Sequence, residues 1–164
     1  MYRIFQMKMF QIEATNTTIY FIYRLRKVLK LSANKAHDLF GMKYSSYYKM
    51  ENFNHNLPLE RLFYVLDLFK LNLNDLQRVL DLVKSIAESN EHLIYGWSSE
   101  NSSFEDLSDF TKDAFNALIG GEATEIDDVE HFDEILGFKA IAEIDELIYN
   151  MIKDSDAYKK ALKK

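Results

Sequence analysis

Cysteine is absent from the 164-residue chain, which removes disulfide cross-links, thiolate nucleophiles and cysteine-ligated zinc together. Glycine is scarce, at five residues, and no glycine-rich phosphate loop occurs. No apolar run reaches the roughly 18 residues that a membrane-spanning helix needs. The opening stretch MYRIFQMKMFQIEATN lacks the long apolar segment and small-residue cleavage site of a secretion signal, so a cytoplasmic protein is expected. Met7 and Met9 also offer later starts than Met1. His37, His55 and His92 stand apart from any serine or carboxylate spaced as in a known nucleophilic motif. Few catalytic options remain, and neither an enzyme activity nor a cofactor is expected.

What is present is apolar and unevenly charged. A content of 48% apolar and 14% aromatic residues is enough to build a core. The formal net charge of −6 hides a division: residues 1–84 hold 13 Lys and Arg against 7 Asp and Glu, and residues 85–164 hold 7 against 19. A basic part suited to phosphates and an acidic part unsuited to them are expected.

Residues 1–13 alternate roughly between apolar and polar and carry no helix cap, which fits a short strand or an ordered arm as well as a helix, within a segment 1–18. From Thr18 the spacing of Ile19, Ile22, Tyr23, Leu25, Val28 and Leu29 predicts a first helix. Ser32 is placed to cap a second, Ala33 to Phe40, which stops at Gly41, where a left-handed residue is easiest. A third runs from about Tyr44 to Asn52. Pro58 opens a fourth with Leu59, Leu62, Phe63, Leu66 and Phe69 as its stripe, and Asn72 or Asn74 caps a fifth that reaches about Glu88. Residues 89–103, with Asn90, Gly96 and several serines, suggest an ordered linker because Leu93, Ile94, Tyr95 and Trp97 interrupt its polarity. Beyond it, residues 104–164 predict an acidic helical region. One helix is expected over 104–118, Gly120 and Gly121 follow, a middle helix carries Ile126, Val129, Phe132 and Ile135, and a last one spans about 138–163.

The order short helix, glycine turn, short helix is what a helix-turn-helix requires, its first helix bracing on the DNA backbone and its second entering the major groove. Leu25-Arg26, Leu31-Ser32, Phe40-Gly41-Met42, Glu51, Pro58, Leu62, Leu66, Leu71 and Leu76 stand in the order seen in the Cro and phage-repressor (XRE-like) helix-turn-helix family, which residues 19–83 resemble. The resemblance implies an all-α fold: a five-helix DNA-binding domain over 19–88, followed by the acidic region. It further implies a structural ion pair between Arg26 and Glu51, and contact with double-stranded DNA through Lys35, Lys43, Tyr44, Ser45, Tyr48, Lys49 and Asn52. Tyr44 and Ser45 would sit nearest base edges. A phage-type transcriptional repressor acting as a homodimer is the function implied.

Five positions depart from the family pattern. Ala33 replaces a phosphate-binding Gln, His37 stands where a small Ala is usual, and Lys43 where a capping Ser is. Phe53 replaces the glycine after the Glu, and Pro58 comes one residue late. The third helix also carries Tyr47 and Tyr48 where Gln, Asn or Arg commonly read bases. Against this, Arg24, Arg26, Lys27, Lys30, Lys35, Lys43, Lys49 and Arg61 outnumber Asp38, Glu51 and Glu60 over residues 20–61, an excess suited to phosphate.

In the acidic region Glu130, Asp133 and Glu134 share a helical face, but no second ligand cluster accompanies them, so a solvated face is expected rather than a metal site. Ile141, Ile144, Leu147, Ile148 and Met151 form a stripe that serves either as core or as a dimer or partner face. The alternative function is that of an inhibitor or antitoxin, its acidic region or the helix-turn-helix itself engaging a basic protein partner.

Overall fold

The computed structural model describes residues 10–90, 92–96 and 124–163. The segment 1–9, Trp97, the helix expected over 104–118 and the Gly120-Gly121 pair lie outside the described residues. Among those described, the chain is mostly helical with a small parallel sheet, which corrects the all-α expectation. None of the described helices is long and apolar enough to cross a membrane.

The strands are β1 (Phe10–Glu13), β2 (Leu93–Gly96) and β3 (Thr124–Glu125), in the order β2-β1-β3. β1 runs parallel to both neighbours, with Phe10 opposite Leu93 and Thr124, and Ile12 opposite Tyr95. Alternation places Ile12 wholly in the core. The apolar run Leu93-Ile94-Tyr95 is therefore a strand inside the expected linker, and residues 10–18 of the expected arm divide into strand and helix.

Helix α1 (Ala14–Val28) starts ahead of Thr18, and in its first turn the Thr17 and Thr18 hydroxyls donate back to the carbonyls of Glu13 and Ala14 at 2.7 and 3.0 Å. Every residue from Ile19 to Arg26 is buried, the signature of a helix enclosed on all sides. Around it stand α2 (Ala33–Leu39), α3 (Tyr44–Glu51), α4 (Leu59–Leu68), α5 (Leu73–Glu88), α6 (Val129–Leu136) and α7 (Phe138–Ile152), with α8 (Asp156–Leu162) at the end. Contacts to α1 come from α3, α5, α6, α7 and β1. One hydrophobic core accordingly runs from Ile12 to Ile152, so the division between basic and acidic parts is one of charge and not of core.

Local chemistry accounts for the breaks. Asn72 caps α5 reciprocally with Asp75, each side chain accepting from the other's backbone N–H at 3.0 and 2.9 Å. The last helix, expected to be continuous, is two: the Ser155 hydroxyl donates to the Ile152 carbonyl and accepts from the Tyr158 N–H, closing α7 and opening α8. Helices α1 to α4 all end in a left-handed residue with paired backbone bonds, for example Leu31 N–H to Arg26 O at 3.1 Å and Leu71 N–H to Leu66 O at 2.8 Å. That residue is glycine only at Gly41; the others are Lys30, Phe53 and Lys70, at φ of 56°, 58° and 57°.

The stripe weighed as a core or a dimer face is core. Ile144 and Ile148 are fully buried within the chain's own interior, and Ile141, Leu147 and Met151 are half-buried at its margin. Ile144 and Ile148 offer nothing to a second copy, because α7 packs against α1 and α5.

Candidate nucleic-acid interface

Four residues separate α2 from α3. The Gly41 N–H bonds Asp38 O at 3.1 Å and the Met42 N–H bonds His37 O at 2.9 Å. Gly41 has φ of 68°, and a Cβ there would lie 3.1 Å from an Arg61 Nη and 3.3 Å from the Tyr64 ring. Conformation favours glycine there, and a Cβ would make the Arg61 tip and the Tyr64 ring give by a few tenths of an ångström. The same packing brings Arg61 of α4 against this turn, a neighbour that no local pattern announces.

His37 occupies the margin of the turn. Its Nδ1 lies 2.8 Å from Met42 O; a carbonyl only accepts, so Nδ1–H is the donor. The small side chain that enters the core from α2 is Ala36, one position earlier, completely buried. The histidine ring is thereby set edge-on to Tyr44, with centroids 5.5 Å apart.

Helix α3 divides cleanly between two faces. Tyr47 and Met50 are fully buried, Tyr47 against Phe40 at 6.1 Å. Burial, and then the nearby Glu51 carboxylate, push the Tyr47 phenol above its ordinary value. Tyr47 is therefore a core residue and Tyr48 a surface one, at 57% exposure. Tyr44, Ser45, Tyr48 and Lys49 share the solvent side with Lys35 and Lys43. Tyr44 and Tyr48, one turn apart, stack at 6.4 Å and 25°. Asn52 folds back onto its own helix: its amide donates to Tyr48 O at 3.0 Å and finishes α3. Lys43 stands at the N-cap of α3 and makes no side-chain cap bond.

Arg26 anchors this helix to α1. Its Nε and Nη2 donate to the two Glu51 oxygens at 2.9 and 3.1 Å, and Nη1 donates to Leu31 O at 3.1 Å. Both side chains are nearly buried, and a forked pair of this kind fixes orientation as well as position.

Arg24, counted among the phosphate-facing cations from sequence, is instead internal and 8% exposed. Its Nε and Nη2 meet Asp145 at 2.8 and 2.5 Å, and Nη1 meets Asp133 at 3.1 Å. Asp133 also accepts from the Tyr20 and Tyr23 hydroxyls. Burial alone would favour neutral Arg24, but the Asp145 and Asp133 carboxylates outweigh it and raise its pKa above the ordinary value. Burial first, then Asp133, likewise raises the Tyr20 and Tyr23 phenols. The acidic segment thus neutralises a cation of the basic one. Phe132 joins the same contact, stacking on Tyr20 at 4.1 Å and meeting Phe53 edge-on at 6.5 Å.

Excluding Arg24 and Arg26, the cations of residues 20–61 are Lys27, Lys30, Lys35, Lys43, Lys49 and Arg61. Only Asp38 and Glu60 remain to oppose them once Glu51 is engaged. The excess positive charge is thus at the surface. Comparison of the chain with protein-family models, curated proteins and solved structures gives no match.

Proposed function

We propose that the chain is a double-stranded DNA-binding transcriptional regulator, in which α2, the Gly41 turn and α3 act as a helix-turn-helix of the phage-repressor kind. The observation that carries this reading is the two-sided character of α3. Tyr47, Met50 and the Arg26–Glu51 pair hold one face in the core, while Tyr44, Ser45, Tyr48 and Lys49 face outward beside Lys35 and Lys43. That is the arrangement a recognition helix needs to enter the major groove while cations meet phosphates. Arg61, packed at the turn, adds a further phosphate contact. Binding as a homodimer is part of the proposal; its interface lies elsewhere than on the Ile144 and Ile148 stripe.

The test is a fluorescence-anisotropy titration of the full chain against a pool of random-sequence duplexes, followed by selection of bound sequences. Affinity should fall with salt, with a log-log slope of about −0.9 for each phosphate contacted. Lys43→Ala or Lys49→Ala should reduce that slope by about one. Absence of binding at low salt would overturn the reading.

A second reading, a basic protein partner for the acidic side, is favoured by the open groove between α5 and α7. There Asp81, Glu143 and Glu146, with Arg78 as the one opposing charge among the lining residues, surround Leu82 and Leu147. Capture of a basic partner by the full chain, lost on reversing Glu143 and Glu146 to Lys, would support it.

A further inference from the structure

Guanidinium and amide side chains, the usual readers of guanine and adenine, do not occur between Tyr44 and Glu51. The outward groups there are two tyrosines, a serine and a lysine. Tyr44 is 48% exposed, and its ring is held from two sides, by the edge of His37 and by the stacked ring of Tyr48. His37 is itself fixed by its bond to Met42 O. The result is a preformed aromatic ridge along the first two turns of α3, which loses little freedom on meeting a ligand. In the major groove, the base-edge feature that matches an apolar surface is the C5-methyl group of thymine.

Resting on the DNA-binding reading above, we propose that Tyr44 and Tyr48 read thymine C5-methyl groups, so that the chain selects duplexes by thymine position. Lys43 and Lys49, adjacent to the two rings in sequence and exposed, hold the flanking phosphates. Ser45, beside Tyr44, is the short hydroxyl that can bond a neighbouring base edge. Specificity on this surface comes from the placement of methyl groups more than from a donor and acceptor code.

The experiment uses a duplex selected from the random pool, resynthesised with each thymine in turn replaced by deoxyuridine, which deletes only the methyl. Loss of one buried methyl should weaken binding about fourfold, and only at the positions under the two rings. Tyr44→Phe and Tyr48→Phe keep the ring and should keep the deoxyuridine penalty. Tyr44→Ala and Tyr48→Ala should each erase it at one position while the helical circular dichroism and melting temperature stay unchanged, since both side chains are at the surface. Tight binding indifferent to every deoxyuridine would overturn this inference and leave DNA binding standing. So would loss of binding in the Phe variants with deoxyuridine tolerated, which assigns the tyrosine hydroxyls to phosphates. No duplex bound at low salt would remove both.

Discussion

Replacing Asp133 by Asn deletes one negative charge with almost no change of shape, and it does so where the acidic segment meets α1. The carboxylate accepts from Tyr20, from Tyr23 at 3.0 Å, and from Arg24 at 3.1 Å. Hydrogen bonds to a charged group contribute about 1.5–3 kcal/mol each, but they are not additive within one network. Two features reduce the total: Arg24 keeps both bonds to Asp145, and the Asp133 side chain is 20% exposed, so water screens part of its field. A net loss of about 2–3 kcal/mol is expected, small enough for a domain of roughly 5–15 kcal/mol to remain folded. Urea unfolding at neutral pH, with a slope of about 2 kcal/mol per molar, should show the midpoint lowered by about 1–1.5 M with the slope unchanged. Glu130→Gln, on the exposed side of the same helix, should stay within about 0.5 kcal/mol of the parent chain. A double-mutant cycle with Tyr20→Phe should return a coupling of about 1 kcal/mol. If Asp133→Asn costs no more than Glu130→Gln, the carboxylate does not dock the acidic segment and the reasoning fails.

Other positions give further tests. Lys70→Gly relieves a left-handed lysine at an exposed helix end and should add about 0.5–1 kcal/mol, read as a melting temperature raised by roughly 2–3 °C; a decrease would show that the lysine side chain matters there. At Phe53, glycine relieves the backbone but loses the ring against Phe132, whereas alanine loses the ring and keeps the strain. Phe53→Ala should therefore be the less stable of the two by about 1 kcal/mol in urea. Ile148→Ala should cost about 2–5 kcal/mol, with a urea midpoint independent of protein concentration; a concentration-dependent midpoint would return α7 to an intersubunit seam. Alkaline pH should destabilise the fold. Unfolded tyrosines release protons near their ordinary pKa of 10.0, while folded Tyr20, Tyr23 and Tyr47 hold theirs to higher pH. The stability they provide is intact below pH 10 and falls above it by about 1.4 kcal/mol per pH unit for each. Phenolate absorbance that reaches the full amplitude of all ten tyrosines while the helical signal is still intact would contradict this.

What could be read along the chain was local. Ser32 and Asn72 by their side chains, and Gly41 and Pro58 by their backbone, bond residues within four positions, so their marks on α2 to α5 are visible in the sequence. The outward set of α3 was named by the family resemblance, and its exposure agrees with that set. Arg24 was misjudged because its environment is made by Asp133 and Asp145, more than a hundred residues away. Nothing in its neighbourhood distinguishes it from Lys27. His37 and Phe53 stood out as departures from a family pattern, and their reasons lie in geometry: one closes the α2–α3 turn, and the other sends a ring from a position usually left to glycine onto Phe132. The sheet was the least legible feature, since four residues of weak alternation carry no information about a parallel partner.

That sheet also sets the order in which the chain can complete itself. β1 lies near the N-terminus yet occupies the centre, and neither neighbour exists until Leu93–Gly96 and then Thr124–Glu125 have been synthesised. Helices α2 to α5 can meet through near-sequence contacts well before then, whereas closing the sheet awaits pairings of long sequence separation, which are intrinsically slow. During that interval β1 has both edges unpaired, the condition under which a strand recruits a wrong partner. Refolding should therefore show an early helical phase and a slower one that scales with the stability of the β1 pairings, and aggregation should be greatest between the two.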